Sequence, residues 1–232
     1  MSEVLIFRHA DGEGPGYFAE FLDRHGIPHR LIRVDRNDPV PESIDDALGV
    51  VLMGGPMSVN DPLPWIPRTL HLIRQAVDDD RPVLGHCLGG QLMSKALGGR
   101  VGANPVSEIG WLPVARVDNS AAGAWLDGLA PEFEVFHWHG ETFSIPAGAA
   151  HILSSPDCPN QAFVIGNSLG MQCHVEMTAR MVHRWASDGR KAIAAPTPTV
   201  QTHEQMSEAL DARIARLHRV ADRIYARWIE GL

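Results

Sequence analysis

Short apolar runs alternate along the first hundred residues with amphipathic stretches, and this alternation sets the expected architecture. Residues 4–7 form an apolar run, and 30–34, 50–53 and 83–84 read as further strands. Residues 17–24 read as a helix that ends at Gly26 with Pro28 beyond it. A short helical piece is expected over 44–48, and a longer helix over 65–77 with Ile66, Leu70, Ile73 and Val77 on one face. Leu88, Leu92, Met93, Ala96 and Leu97 recur at helical spacing over 88–97, and Gly98-Gly99 is a stop signal. Strand and helix in repeated alternation is the pattern of a flavodoxin-like α/β sheet, mainly parallel, with helices on both faces. Sites in such sheets lie at the carboxyl ends of strands, where Gly54-Gly55 and Cys87 fall.

Beyond Gly99 the pattern changes. Residues 101–117 and 133–145 look like strands broken by turns, with Gly110 and Pro113 among the breakers. Residues 151–154, 162–166 and 170–174 continue them, so a small antiparallel excursion should return to the main sheet. A Pro/Thr-rich connector, 194–202, precedes an expected long helix over 203–229. Its stripe of Met206, Leu210, Ile214, Leu217, Val220, Ile224 and Trp228 should pack on the domain, with a homodimer seam as the alternative. Thr202 and Gln205 can form a capping box. The chain reads as one domain, 1–232, in which 200–231 supply the C-terminal helix.

Composition narrows the classes. Of 232 residues 44% are apolar and 21% charged, ordinary for a folded soluble domain. The net charge of −8 argues against nucleic-acid and anionic-membrane partners. No apolar run approaches the length of a membrane span, and the N-terminus reads as a first strand rather than a signal peptide. Three cysteines without framework spacing point to a reducing compartment, hence the cytoplasm.

The stretch VLGHCLGGQLMSKAL, residues 83–97, carries the chemistry. Gly-His-Cys-Leu-Gly between a strand and a helix has the form of a nucleophile elbow with Cys87 in the serine position. Small neighbours let the backbones approach closely. The helix N-terminus favours a thiolate, and its free N–H groups can hold an oxyanion. A thiol of this kind works with a base oriented by an acid. His174 and Glu176 in GMQCHVE are two apart at an expected strand end, on one side of the chain. His137 and His139 flank Trp138, but no cysteine or carboxylate at ligand spacing accompanies them, so no metal is expected, and no cofactor either. Cys158 and Cys173 read as buried loop and strand positions. His183, Arg184 and Trp185 read as a packed, partly solvated helix face. The loop 12–16 resembles a phosphate turn, but Asp11 and Glu13 would repel phosphate, which leaves it as the rim of a site.

MGGP (53–56), GHCLGGQ (85–91) and GMQCHVE (170–176) together resemble the class I glutamine amidotransferases, nearest to the glutaminase domain of GMP synthase and its free-standing relatives. SEIGW (107–111), FHWHGETF (136–143) and CPNQAF (158–163) fit the same subgroup. The resemblance covers residues 4–178. It implies that Cys87 attacks the side-chain amide of glutamine to form a γ-glutamyl thioester and release ammonia, that His174 shuttles the proton, and that Glu176 orients His174. It implies an oxyanion hole from the N–H groups of Gly55 and Leu88. Glutamine contacts would come from Gly54, Pro56, Gln91, Trp138, His139 and Gly140. Val175 stands where many members have proline, and strand geometry is kept. No ATP-pyrophosphatase segment or P-loop accompanies the motifs, so ammonia would go to a separate synthetase or be released free. The alternatives are a γ-glutamyl peptidase or hydrolase, and a partner-activated regulatory or binding protein.

Overall fold

The structure is a computed structural model describing residues 2–232. Its first half runs β1 (Glu3–Arg8), α1 (Tyr17–Arg24), β2 (His29–Arg33), β3 (Ala47–Leu52), α2 (Ile66–Asp78), β4 (Val83–His86) and α3 (Leu88–Ala96). The second half runs β5 (Val101–Arg116), α4 (Ser120–Trp125), β6 (Glu132–Phe143), β7 (Ala150–Ser154), β8 (Ala162–Ile165), β9 (Ser168–Met171), α5 (Ala179–Asp188), α6 (His203–Ser207) and α7 (Leu210–Ile229). The strands form one sheet in the order β2-β1-β3-β4-β9-β8-β7-β5-β6. It is parallel from β2 to β9 and antiparallel from β9 outward to β6. The antiparallel excursion therefore returns to the centre of the sheet, laying β9 beside the elbow strand β4.

Why the central strands are unbroken apolar runs follows from burial on both faces. Val4, Ile6, Val51 and Leu84 join the aromatic layer that includes Phe18, Tyr225 and Trp228. Their alternating neighbours Leu5, Phe7, Val50, Leu52 and Val83 join Leu72, Ile73, Leu92 and Met93 on the other face.

Several boundaries differ from the expected ones. Residues 44–48 form no helix: Ala47 N–H closes a turn on the Ile44 carbonyl at 2.8 Å, and β3 starts there. The buried face of α2 is Ile66, Thr69, Leu72, Ile73 and Ala76, rotated from the expected stripe so that Leu70 and Val77 lie at its edge. Gly110 and Pro113 do not break β5, whose pairing with β6 continues through both; the irregularity falls between Ala103 and Glu108. The strand expected over 170–174 stops at Met171. The expected C-terminal helix is two helices, because Ala209 adopts φ 50 and ends the register of α6 before α7 begins. Thr202 and Gln205 do form the capping box, and the α7 stripe packs on the domain, with Leu217, Ile224, Tyr225 and Trp228 buried.

Candidate active site

Cys87 sits between β4 and α3 with φ 50, a left-handed backbone unusual for a side-chain-bearing residue. Its N–H is held by the Met171 carbonyl at 2.8 Å, tying the elbow to the end of β9. Gly89 and Gly90 make the sharp turn possible. A Cβ on the first would collide with the Leu52 carbonyl and one on the second with the Met171 carbonyl, so α3 rests on the strand ends with no side chain between. Cys87 is 7% exposed, while its neighbours His86 and Leu88 are fully buried. Its sulfur lies 3.5 Å from Gln172 Nε2 and 3.8 Å from the Trp138 carbonyl.

His174 and Glu176 follow the end of β9 in an irregular segment, anchored where His174 and Phe136 exchange backbone hydrogen bonds of 2.8 and 3.3 Å. Glu176 Oε1 lies 2.6 Å from His174 Nδ1, and both side chains are 1% exposed. Burial opposes the imidazolium, but Glu176 and the neighbouring Cys87 sulfur outweigh it and raise the pKa of His174 well above 6.5. Burial equally opposes charge on Glu176, yet His174 and His86 hold its pKa well below the usual carboxylate range. The second Glu176 oxygen faces His86 Nε2 at 3.7 Å, and that nitrogen is 3.1 Å from the Tyr225 hydroxyl of α7. Among the described residues Nε2 of His174 has no hydrogen-bond partner and is the nitrogen left for the sulfur. The ring of Trp185 stands edge-on to His174 with centroids 4.9 Å apart.

A cavity of about 650 Å³ opens above Cys87. Gly55, Pro56 and Gln91 line it on one side, and Trp138, His139 and Gly140 on another. Gln91 is fixed by its Nε2 donating to Gln172 Oε1 at 3.1 Å. Gly54 and Leu88 lie behind this lining: a Cβ on Gly54 would strike Glu13 and come 3.2 Å from His174 Cε1, and one on Gly55 would come 2.7 Å from Leu88 Cδ2. The rim loop contributes Gly12 and Glu13. Burial pushes the Glu13 carboxyl up to about 7.

His137 and His139 do have a carboxylate beside them, contrary to the expectation from spacing. Glu108 is the cross-strand partner of His139 in the β5–β6 ladder, with Glu108 Oε2 2.9 Å from His139 Nε2 and 3.9 Å from His137 Nδ1. The three lie close enough to hold a metal ion. His139 Nδ1 faces the Glu141 carbonyl at 3.0 Å while Nε2 faces Glu108. Glu108 also accepts from Ser155 Oγ and Gln161 Nε2, each at 2.7 Å. Burial pushes His137 down to about 3, keeping it neutral. This network fixes the β6 segment that walls the cavity.

Residues 22–188 match the family described as Glutamine amidotransferase class-I. The chain belongs to the class I glutamine amidotransferase family. A glutamine amidotransferase from Methylobacillus flagellatus superposes with a TM-score of 0.96 at 47% identity, covering 100% of this chain and 96% of that one. A glutamine amidotransferase-like protein of Salmonella typhimurium is 29% identical over 192 residues, 80% of each chain. A subunit of the glutamine-hydrolyzing GMP synthase of Natronomonas pharaonis is 37% identical over 170 residues, 67% of this chain and 86% of that one. The chain spans 23–38% of the length of the GMP synthases it also matches. As an amidotransferase of this class it carries the fold that its strand and helix pattern implied. No helix among the described residues is long and apolar enough to cross a membrane.

Glu108, Trp185 and the His86–Tyr225 contact are not singled out as site residues by the sequence, whereas Glu13 lies on the loop expected at the rim of the site. Glu108 was readable only through strand pairing, and Tyr225 lies 139 positions from His86. Trp185 carried a usable signal: it is the large aromatic residue on the first helix after Glu176, and that helix had to pack beside the His-x-Glu segment.

Proposed function

We propose that the chain hydrolyses the side-chain amide of glutamine, or of a closely related γ-glutamyl compound, through a thioester on Cys87. The observation that carries this reading is the buried Glu176–His174 pair, its second imidazole nitrogen unpartnered among the described residues, beside Cys87 at the floor of an open cavity. His174 takes the thiol proton, and the sulfur adds to the amide carbon. The resulting oxyanion is held by the N–H groups of Gly55 and of Leu88, the first residue of α3, whose N–H has no partner within the helix. Such a donor contributes on the order of 10²–10³ in rate. The carbon–nitrogen bond breaks as His174 returns its proton to the leaving amine, giving thioester and free amine. Water then adds to the thioester with His174 as base, the carbon–sulfur bond breaks, and glutamate and the thiol are restored. Glu176 fixes the tautomer of His174 and stabilises its charged form.

Ammonia release by the purified chain from L-glutamine, with Cys87→Ala as control, tests the reading. Cys87-dependent release supports it, and equal release by the variant overturns it. A separate synthetase chain as ammonia acceptor is supported by the relative named as one subunit of GMP synthase. The γ-glutamyl hydrolase reading is favoured by a specific observation, the size of the cavity.

A further inference from the structure

The cavity over Cys87 is large, and carboxyl groups dominate the ionisable side chains that line it. Its volume of about 650 Å³ lies within the roughly 300–1,000 Å³ of pockets that take drug-sized ligands, and a free amino acid fills only a small part of that. Glu13, Glu141 and Asp188 line it, and among the described residues no lysine or arginine does. Arg184, beside Gly12 at the rim, is engaged by Asp11 at 3.0 Å and by Asp188 at 3.4 Å. Among the described residues the Glu141 carboxylate accepts the Ser58 hydroxyl at 3.1 Å and makes no ion pair, and Glu13 makes none either. The α-ammonium of a γ-glutamyl group can satisfy one of Glu13 and Glu141; the other has nothing to meet in glutamine, and Asp188 meets only the rim residue Arg184.

Their placement matters as much as their number. Glu13 Oε2 and His174 Cε1 converge on one point beside Gly54. Trp185 is edge-on to His174, and Asp188 follows it one turn later on α5. The leaving amine takes its proton from His174, so whatever it carries extends into space walled by Glu13, Trp185 and Asp188. Carboxylates attract a cation and repel an anion.

We propose that the preferred substrate is the γ-glutamyl amide of a cationic amine, such as an N-γ-glutamyl diamine, whose distal ammonium sits between Glu13 and Asp188. This inference rests on reading the site as a γ-glutamyl amide hydrolase. The amide bond is cleaved as above, and the diamine leaves with the proton from His174.

The test compares kcat/KM of the full chain for glutamine, γ-glutamyl-ethylamide, γ-glutamyl-putrescine and γ-glutamylglycine, with mass-spectrometric trapping of the Cys87 thioester. The putrescine amide should be turned over ~10-fold faster than the ethylamide and the glycine amide ~10-fold slower, a spread that partly screened charge contacts sustain. Glu13→Gln and Asp188→Asn should bring the putrescine-to-ethylamide ratio toward one. Thioester formation with equal rates, or with glutamine or the glycine amide preferred, overturns the substrate class while the hydrolase reading stands. No thioester from any of the four overturns both.

Discussion

Glu176 and His174 are two residues apart, yet their side chains meet at 2.6 Å, both almost fully buried, beyond the end of β9. The contact bends the chain back on itself and leaves one imidazole nitrogen for the sulfur. Glu176→Gln should keep the fold and lower turnover by roughly 10³–10⁴-fold, because an amide can select the wrong tautomer and cannot balance the imidazolium. Steady-state kinetics with unchanged circular dichroism checks this.

The same pair sets a pH window for stability. The raised pKa of His174 contributes stability that is complete below its unfolded value of 6.5 and is lost as pH rises through the higher folded value. The lowered pKa of Glu176 contributes stability that is complete above 4.5 and is lost as pH falls through the lower folded value. Both are complete between 4.5 and 6.5. The Tm difference between wild type and Glu176→Gln should be largest there and shrink on either side.

Glu13 works in the opposite sense. Its carboxyl is raised from 4.5 to about 7, so folding is penalised as pH climbs through that interval and fully so above it. Glu13→Gln should leave Tm unchanged below 4.5 and raise it above 7. Thermal melts across that range decide the point.

Glu108→Gln should disturb the buried network that Glu108 makes with His139, Ser155 Oγ and Gln161 Nε2. A buried donor left without its partner costs about 1–3 kcal/mol, so denaturant midpoints should fall accordingly. Because His139 and Gly140 wall the cavity, KM should rise more than kcat falls.

Trp185→Ala removes the ring that stands against His174 and Trp138. A loss of about 3 kcal/mol is expected from the packing, with kcat falling as the imidazole gains freedom. Urea unfolding and single-turnover kinetics separate the two effects.

The sheet and the elbow were legible in the sequence because both are local. Buried parallel strands are continuous apolar runs, and Gly-x-Cys-x-Gly at a strand-to-helix junction needs no distant partner to be read. Where the reading failed, geometry was non-local or a pattern was indifferent to it. The stripe of 206–228 runs unbroken through Ala209, so periodicity cannot register the change of φ there. Leu70 and Val77 fit a helical face as well as Leu72 and Ala76 do, and only the sheet beneath decides between them. Glu108 and His139 are 31 positions apart and meet only once β5 and β6 are registered.

The two glycines that open α3 bear on how this protein can change. Gly89 and Gly90 rest against the carbonyls of Leu52 and Met171, so the nucleophile takes its position from three strand ends in main-chain contact. Side chains of the wall, among them Trp138, Glu141 and Asp188, come from other elements. The reacting sulfur and the carboxyl side chains of the wall are thus carried by separate elements. Substitutions at Glu141 or Asp188 can redirect which amide is admitted, whereas Trp185 packs on His174, and an engineer seeking new specificity would leave 85–91 untouched.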